Sequence, residues 1–323
     1  MTADPDLPPV LVVGAGSAGA RHSRLLAAAG AIVHVTDPDE QRVRHVVGAT
    51  GATPVGLGEI GSDRYAGTVL ASPTSLHADQ VGAALSGAGK ILVEKPIATS
   101  ASDATDLAET AGHRVAVAYN LRYHQPLAAV AEIVHGGQLG SITTGRVWFG
   151  QWLPDWRPTT DYRVSYSARR ELGGGILLDA SHELDVVRWM FGSGRYEVLG
   201  SAVARLGPLE IDVEDTVEAL IRTPENAVIT VSLDCLSRRY RRGVEIIGTE
   251  QSVRLDWTRR VIEIDRPGGV TTVDADESVE HAYEKQALAF LAWVSGGPEM
   301  AVMAGDGAEV VVLADAIRDA AHR

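Results

Sequence analysis

The chain has 323 residues, 45% hydrophobic and 22% charged, with 29 basic against 42 acidic side chains and a formal net charge of −13. At roughly 150 residues per domain that length suggests two domains, and the ordinary globular composition excludes collagen, a disordered chain and a disulfide scaffold. The acidic balance argues against a nucleic-acid partner, and no apolar run approaches the ~18 residues that a membrane span needs.

Met1–Pro9 carries two aspartates and no basic segment, so it reads as an irregular tail and not as a secretory signal. Strands are expected at Val10–Val13, Ala31–Thr36, Thr68–Ala71, Ile91–Val93 and Val115–Ala118. Helices are expected from a glycine-rich turn to about Ala29, near Ser75–Leu85 and near Ser102–Ala111. That alternation means βαβ units and a parallel sheet. The pattern changes near Tyr119–Tyr123, where the domain boundary is expected, giving domains of 1–120 and 121–323. Beyond it come an alternating run, Ile142–Gln151, a polar and aromatic loop, Leu153–Glu171, and one helix, Ile176–Phe191. Short runs at Glu197–Leu206, Thr216–Arg222, Val228–Cys235, Arg242–Ile247, Gln251–Trp257 and Val261–Ile264 have no helices between them, as in an open, largely antiparallel sheet. Two helices, Val279–Val294 and Gly307–Ala321, close an α+β second domain. Cys235, the only cysteine, reads as a strand residue; no internal disulfide is possible, and a reducing cytoplasm is the expected compartment.

Gly14-Ala15-Gly16-Ser17-Ala18-Gly19 stands between the first strand and the first helix. Gly14 permits a tight turn, Gly16 admits a pyrophosphate, and Gly19 lets helix and strand pack closely. The pyrophosphate would rest on the helix N-terminus at Ser17 and Ala18, where free N–H groups favour an anion. Asp37 closes the second strand, 18 residues after Gly19. Its carboxylate suits the ribose hydroxyls and repels a 2′-phosphate, so NAD is expected over NADP, although Arg42 and Arg44 stand close by.

Only three residues are lysines, Lys90, Lys95 and Lys285. Lys95, in Glu94-Lys95-Pro96, follows a strand whose carboxyl end faces the ligand crevice of such a sheet. It is a candidate for chemistry or a partner for Glu94. Gly173-Gly174-Gly175 precedes Asp179, His182 and Glu183, whose spacing puts all three on one face of a continuous helix. His182 is a candidate general base oriented by Asp179, or else a buried histidine satisfied by Asp179 or Asp185. A zinc helix is rejected, because His-Glu-x-x-His needs a histidine where Val186 stands, and no metal is expected. Tyr119, Asn120 and Arg122 at the boundary, with Trp156, Arg157 and Tyr162 in the loop, are candidate substrate contacts; the tryptophans read equally as core. Arginine there could grip a carboxylate or phosphate.

Together the Gly14 loop, Ala71–His77, Glu94–Pro96, Tyr119–Tyr123, the Gly173–Asp185 run and Ala304–Glu309 resemble the Gfo/Idh/MocA family of NAD(P)-dependent sugar and cyclitol dehydrogenases. The resemblance implies a Rossmann domain, then a substrate domain whose open sheet joins subunits into dimers or tetramers. It implies that Lys95 is catalytic, Asp179 its partner and His182 the acid/base. Cofactor contacts are implied for Ser72, Pro73, Thr74, His77, Glu94 and Lys95. The family more often has three residues between the Asp and the His, and this chain has two, as in a subgroup acting on bacterial surface or secondary-metabolite sugars. The expected reaction is hydride transfer at a secondary hydroxyl of a sugar, amino sugar, cyclitol or sugar nucleotide. The alternatives are a redox-cycling epimerase, lyase or glycosidase with tightly held NAD, and a non-catalytic NAD-sensing regulator.

Overall fold

The computed structural model describes residues 9–322, so the expected irregular tail lies outside them apart from Pro9. The described residues divide into two compact units. One runs to Asn120 and takes in Glu280–Val311; the other is Leu121–Val279 with residues 312–322.

The first unit is built on β1 (Val10–Val13), α1 (Ser17–Ala28), β2 (Val33–Thr36), α2 (Glu40–Thr50), β3 (Thr53–Pro54), β4 (Gly67–Leu70), α3 (His77–Ala84), β5 (Lys90–Val93), α4 (Ala101–Ala111) and β6 (Val115–Val117). Its six strands pair in parallel in the order β3-β2-β1-β4-β5-β6. Four of them, β1, β2, β4 and β6, are buried throughout, as strands of a parallel sheet covered on both faces are. The strand order reverses beside β1, and in sheets of this kind ligands bind at the carboxyl ends next to that reversal.

The second unit holds α5 (Gln125–His135), β7 (Ile142–Gly150), α6 (Ile176–Asp179), α7 (Ser181–Phe191), β8 (Glu197–Ala204), β9 (Thr216–Arg222), β10 (Val228–Asp234), β11 (Arg241–Gly248), β12 (Ser252–Asp256), β13 (Val261–Arg266) and β14 (Gly269–Asp274). Its eight strands lie in the order β14-β13-β12-β11-β7-β10-β9-β8, antiparallel except for the β7–β10 pair. Val217, Ala219 and Ile221 of β9 alternate with exposed residues, so one face is packed and the other open. The parallel first sheet and the largely antiparallel second one are those the sequence predicts.

Two last helices follow, α8 (Val279–Val294) and α9 (Ala304–Ala320). Most of α8 belongs to the first unit. Phe290 fills the space over Gly67, where an added Cβ would come within 2.7 Å of its ring, and Lys90 lies 4.9 Å from the centre of the Trp293 ring. Met303 bridges Ala116, and Val117 N–H donates to Val302 O at 2.9 Å. Among the described residues no helix is long and apolar enough to cross a membrane, and no group of three or more His, Cys, Asp or Glu is arranged to hold a metal.

The sequence reading passed over α2, β3, α5 and β14. For α5 the signal was present: Pro126 opens it, and Leu127, Val130, Ala131 and Val134 repeat at helical spacing on its buried side. β14 is exposed along its whole length and has no buried alternation to find. The expected helix Ile176–Phe191 is two helices. Ala180, at φ −90° and ψ 28°, leaves the helical region, so Asp179 ends α6 and His182 is the second residue of α7. The single face expected for Asp179, His182 and Glu183 therefore does not form. The break falls in the stretch where the chain is one residue shorter than the pattern it resembles.

Candidate functional site

At the carboxyl edge of the first sheet the ladder continues one step past each strand. Gly14 N–H donates to Thr36 O, Ala71 N–H to Val13 O, Glu94 N–H to Leu70 O and Ala118 N–H to Val93 O, each at 2.8 Å. The residues after four neighbouring strands thus stand in register along one edge.

The glycine loop is shaped by what glycine alone allows. Gly14 sits at φ +98°, and a Cβ there would lie 2.7 Å from Ala71 O; a Cβ on Gly19 would lie 1.8 Å from Gly14 O. Gly16 is different, with nothing within 4 Å of its missing Cβ. It opens a 12-residue helix that has no side-chain cap and no acid in its first turn. Free N–H groups beside open space fit a pyrophosphate. Asp37 accepts Ala15 N–H on Oδ2 at 2.7 Å and Asp39 N–H on Oδ1 at 2.8 Å, which pins it against the loop. An open cleft of about 360 Å³ adjoins it, lined by Asp37, Glu40, Val43, Arg44 and residues 54–56. Arg42 is paired with Asp39 at 3.3 Å and Arg44 with Glu40 at 3.1 Å. This set of residues fits a dinucleotide.

Ser72 donates from Oγ to Gln80, Pro73 leads into a short turn, and Thr74 is buried in it. His77 is completely buried, its Nδ1 2.9 Å from Pro96 O and its Nε2 3.1 Å from Ser72 O. Both ring nitrogens of His77 face the chain's own carbonyls. Burial pushes its imidazole below the ordinary range, against the opposing pull of the hydrogen bonds to those carbonyls.

Glu94 lies against His22 of α1, with Oε1 2.8 Å from Nε2, and its Oε2 accepts Lys95 N–H at 3.2 Å. Burial would raise this carboxyl; the hydrogen bond and charge of His22, with the charge of Lys95, outweigh it and hold it below the usual range. Lys95 itself is half-buried and the Lys95–Pro96 peptide is cis. The sequence reading missed His22, a polar residue on the buried stripe of a helix that offers no spacing signal. Tyr119 and Asn120 follow β6 in tight turns and are buried, and the Asn120 amide nitrogen has no hydrogen-bond partner among the described residues.

In the second unit, His182 stands in the first turn of α7 between two anchored acids. Asp185 receives Arg122 in bidentate fashion, both contacts at 2.9 Å, and that guanidinium also lies over Trp189. Buried Glu183 receives Arg242 of β11 at 2.6 Å. Arg122, a candidate substrate contact, thus also ties α7 in place, and its charge matches that of the buried Asp185.

The three glycines serve packing within the chain. Gly173 ends the preceding turn at φ +85°, and a Cβ on Gly174 would lie 2.3 Å from Tyr166 O. Gly175, at φ +108°, leaves room for the Glu214 carboxylate, whose Oε1 accepts Leu177 N–H. Burial raises the Glu214 carboxyl above its ordinary range. Cys235 lies just past β10, buried, its thiol pushed up by burial and by Asp215, Asp179 and Asp234.

In the loop, Trp156 donates from Nε1 to Gln151 O and meets Phe149 edge-on. Trp156, Arg157 and Tyr162 do come together, around a recess of about 10 Å³ that also includes Leu153, Thr160 and Ser165. Within this unit that is room for one water.

Residues 9–120 match the family described as "Oxidoreductase family, NAD-binding Rossmann fold", and residues 127–254 match the "GFO/IDH/MocA C-terminal domain". The chain therefore belongs to the Gfo/Idh/MocA oxidoreductases. Among curated relatives, the inositol 2-dehydrogenase of Rhizobium meliloti is 25% identical over 97% of this chain and 96% of its own length. The levoglucosan dehydrogenase of Pseudarthrobacter phenanthrenivorans is 27% identical over 59% of this chain, and the match spans only about half (55%) of that relative. Among solved structures, GenD2 from gentamicin A biosynthesis, in complex with NAD, superposes with a TM-score of 0.83 over 98% of this chain and 94% of its own, at 24% identity.

Proposed function

We propose that this protein transfers hydride between NAD and a secondary hydroxyl of a sugar, amino sugar, cyclitol or sugar nucleotide. The observation that carries this reading is Lys95, at the carboxyl end of β5 in the same edge row as the glycine loop, its amide tied to an ionised Glu94. NAD supplies the hydride acceptor and donor when bound. His182 takes the hydroxyl proton in the oxidising direction, and Lys95 hydrogen-bonds the same oxygen as negative charge grows on it. Asp179 is assigned as their polar partner. Asn120, buried with a spare amide donor, is the strongest of the further substrate contacts; Tyr119, Trp156, Arg157 and Tyr162 complete that set. Ser17, Ala18, Ser72, Pro73 and Thr74 are assigned to the cofactor, with His77 shaping the loops that carry Ser72 and Pro96.

NAD is preferred over NADP in this reading, because Asp37 and Glu40 line the cleft and Arg42 and Arg44 are already paired. The open face of the second sheet, with Trp148 partly exposed and Leu220 and Ile247 exposed, is assigned to a second copy of the chain in a dimer or tetramer, which sedimentation tests. A reducing cytoplasm suits the lone buried thiol.

The test is NADH formation over sugars, inositols, uronic acids and sugar nucleotides, with Lys95→Ala beside the wild type. The variant is expected to bind NADH normally and lose turnover by about 10²–10³-fold. Near-normal turnover in that variant overturns the mechanism. Tightly copurifying cofactor with no net NADH points to redox cycling instead.

A further inference from the structure

Two buried histidines grip the segment that carries Lys95. His77, at the start of α3, holds Pro96 O on one side. On the other, His22 reaches from the sixth residue of α1 to Glu94, whose second oxygen receives Lys95 N–H. The Glu94 backbone is itself fixed by its bond to Leu70 O, so the carboxylate spans a fixed gap between α1 and the Lys95 peptide.

We propose that His22 is a positioning residue, which through Glu94 sets Lys95 relative to the phosphate-binding end of α1. The inference rests on the reading of Lys95 as the group that hydrogen-bonds the substrate oxygen. Lysine carries its charge on a flexible four-carbon stem, so the placement of its root matters. A misplacement of about 1 Å in a reacting geometry costs on the order of 10²-fold in rate. One rigid helix that holds both the glycine loop and, through a carboxylate, the lysine ties these two placements together.

The three lysines make the test direct. Protein labelled with ¹⁵N-lysine gives three backbone amide signals, with Lys95 identified by Lys95→Arg. In His22→Ala the Lys95 amide is expected to move, while Lys90, at the other end of β5, and Lys285 stay. Turnover on the polyol found by the screen is expected to fall about 10–100-fold, with the NADH dissociation constant unchanged within about threefold in a fluorescence titration. His22→Gln, which keeps an N–H donor toward Glu94, is expected to restore most of that loss. An unmoved Lys95 amide, a Lys90 signal that moves with it, turnover within about twofold of wild type, or a loss confined to NADH affinity each overturns the proposal. If Lys95→Ala is inactive while His22→Ala is not, only this inference fails. If Lys95→Ala stays active, the reading of the lysine fails, and the amide shifts still report whether His22 holds its backbone.

Discussion

The edge of the first sheet and the first turn of α7 each present a basic residue next to an acid in sequence, and the two are held in different ways. Lys95 is fixed through its backbone: Glu94 accepts its N–H and His77 holds the Pro96 carbonyl, so the tethers act on the main chain on either side of it. His182 is fixed through its helix: its neighbours Glu183 and Asp185 are tied to Arg242 and Arg122, 59 and 63 residues away in sequence. A lysine with a mobile stem needs its root placed, whereas a short imidazole needs only a rigid helix beneath it. The lesson is that charges beside a candidate site can belong to its scaffold.

The sharpest test of this contrast acts on His182. His182→Ala is expected to lower turnover by about 10²–10⁴-fold near neutral pH without changing the unfolding midpoint, which kinetics and urea unfolding measure together. Asp185→Ala should do the reverse. It leaves the Arg122 guanidinium without its partner in a largely buried place, and a loss of about 3–5 kcal/mol of stability is expected by urea unfolding. If Asp185→Ala instead keeps full stability and loses turnover, Arg122 belongs to the substrate after all.

A smaller effect separates the two units by pH. The Glu94 carboxyl is lowered from 4.5, so its contribution to stability is present above pH 4.5 and is lost as pH falls through the lower folded value. The Glu214 carboxyl is raised from 4.5, so folding favours its protonated form, and stability declines as pH rises from 4.5 through the folded value. Glu94→Gln is therefore expected to lower the neutral-pH unfolding midpoint and flatten its acid decline. Glu214→Gln is expected to raise the neutral midpoint. Urea midpoints from pH 3 to 8 check both, and equal shifts of one sign in the two variants would remove the distinction.

What the sequence made legible follows the range of the interactions. The glycine loop, Asp37 and Lys95 were readable because each stands directly after a buried strand, and the backbone ladder carries them to one edge. The break at Ala180 was not, since Ala, Ser and His give no local stop signal. Gly173–Gly175 suggested a close approach, and the approach is real, but its partners are Tyr166 and Glu214 of the same chain. Nothing near Arg122 in sequence shows that Asp185 pairs with its charge. His22 was invisible because a buried polar residue on a helix shows its purpose only with its partner, 72 residues further on.

The return of α8 and Val302 to the first unit bears on how the chain is made. Gly67 lies under Phe290, and Val117 is bonded to Val302, so the cofactor-binding half is finished by residues that follow the strands of the second unit in sequence. Once residue 120 has left the ribosome, the motifs of the dinucleotide fold are out and the helix that covers Gly67 is not. The whole second unit must emerge before the first can close, which makes this a high-contact-order domain despite its local βαβ repeats. A truncation at residue 120 would leave bare the apolar surface that α8 covers, so a separable cofactor domain has to include Glu280–Val311, joined by a designed linker.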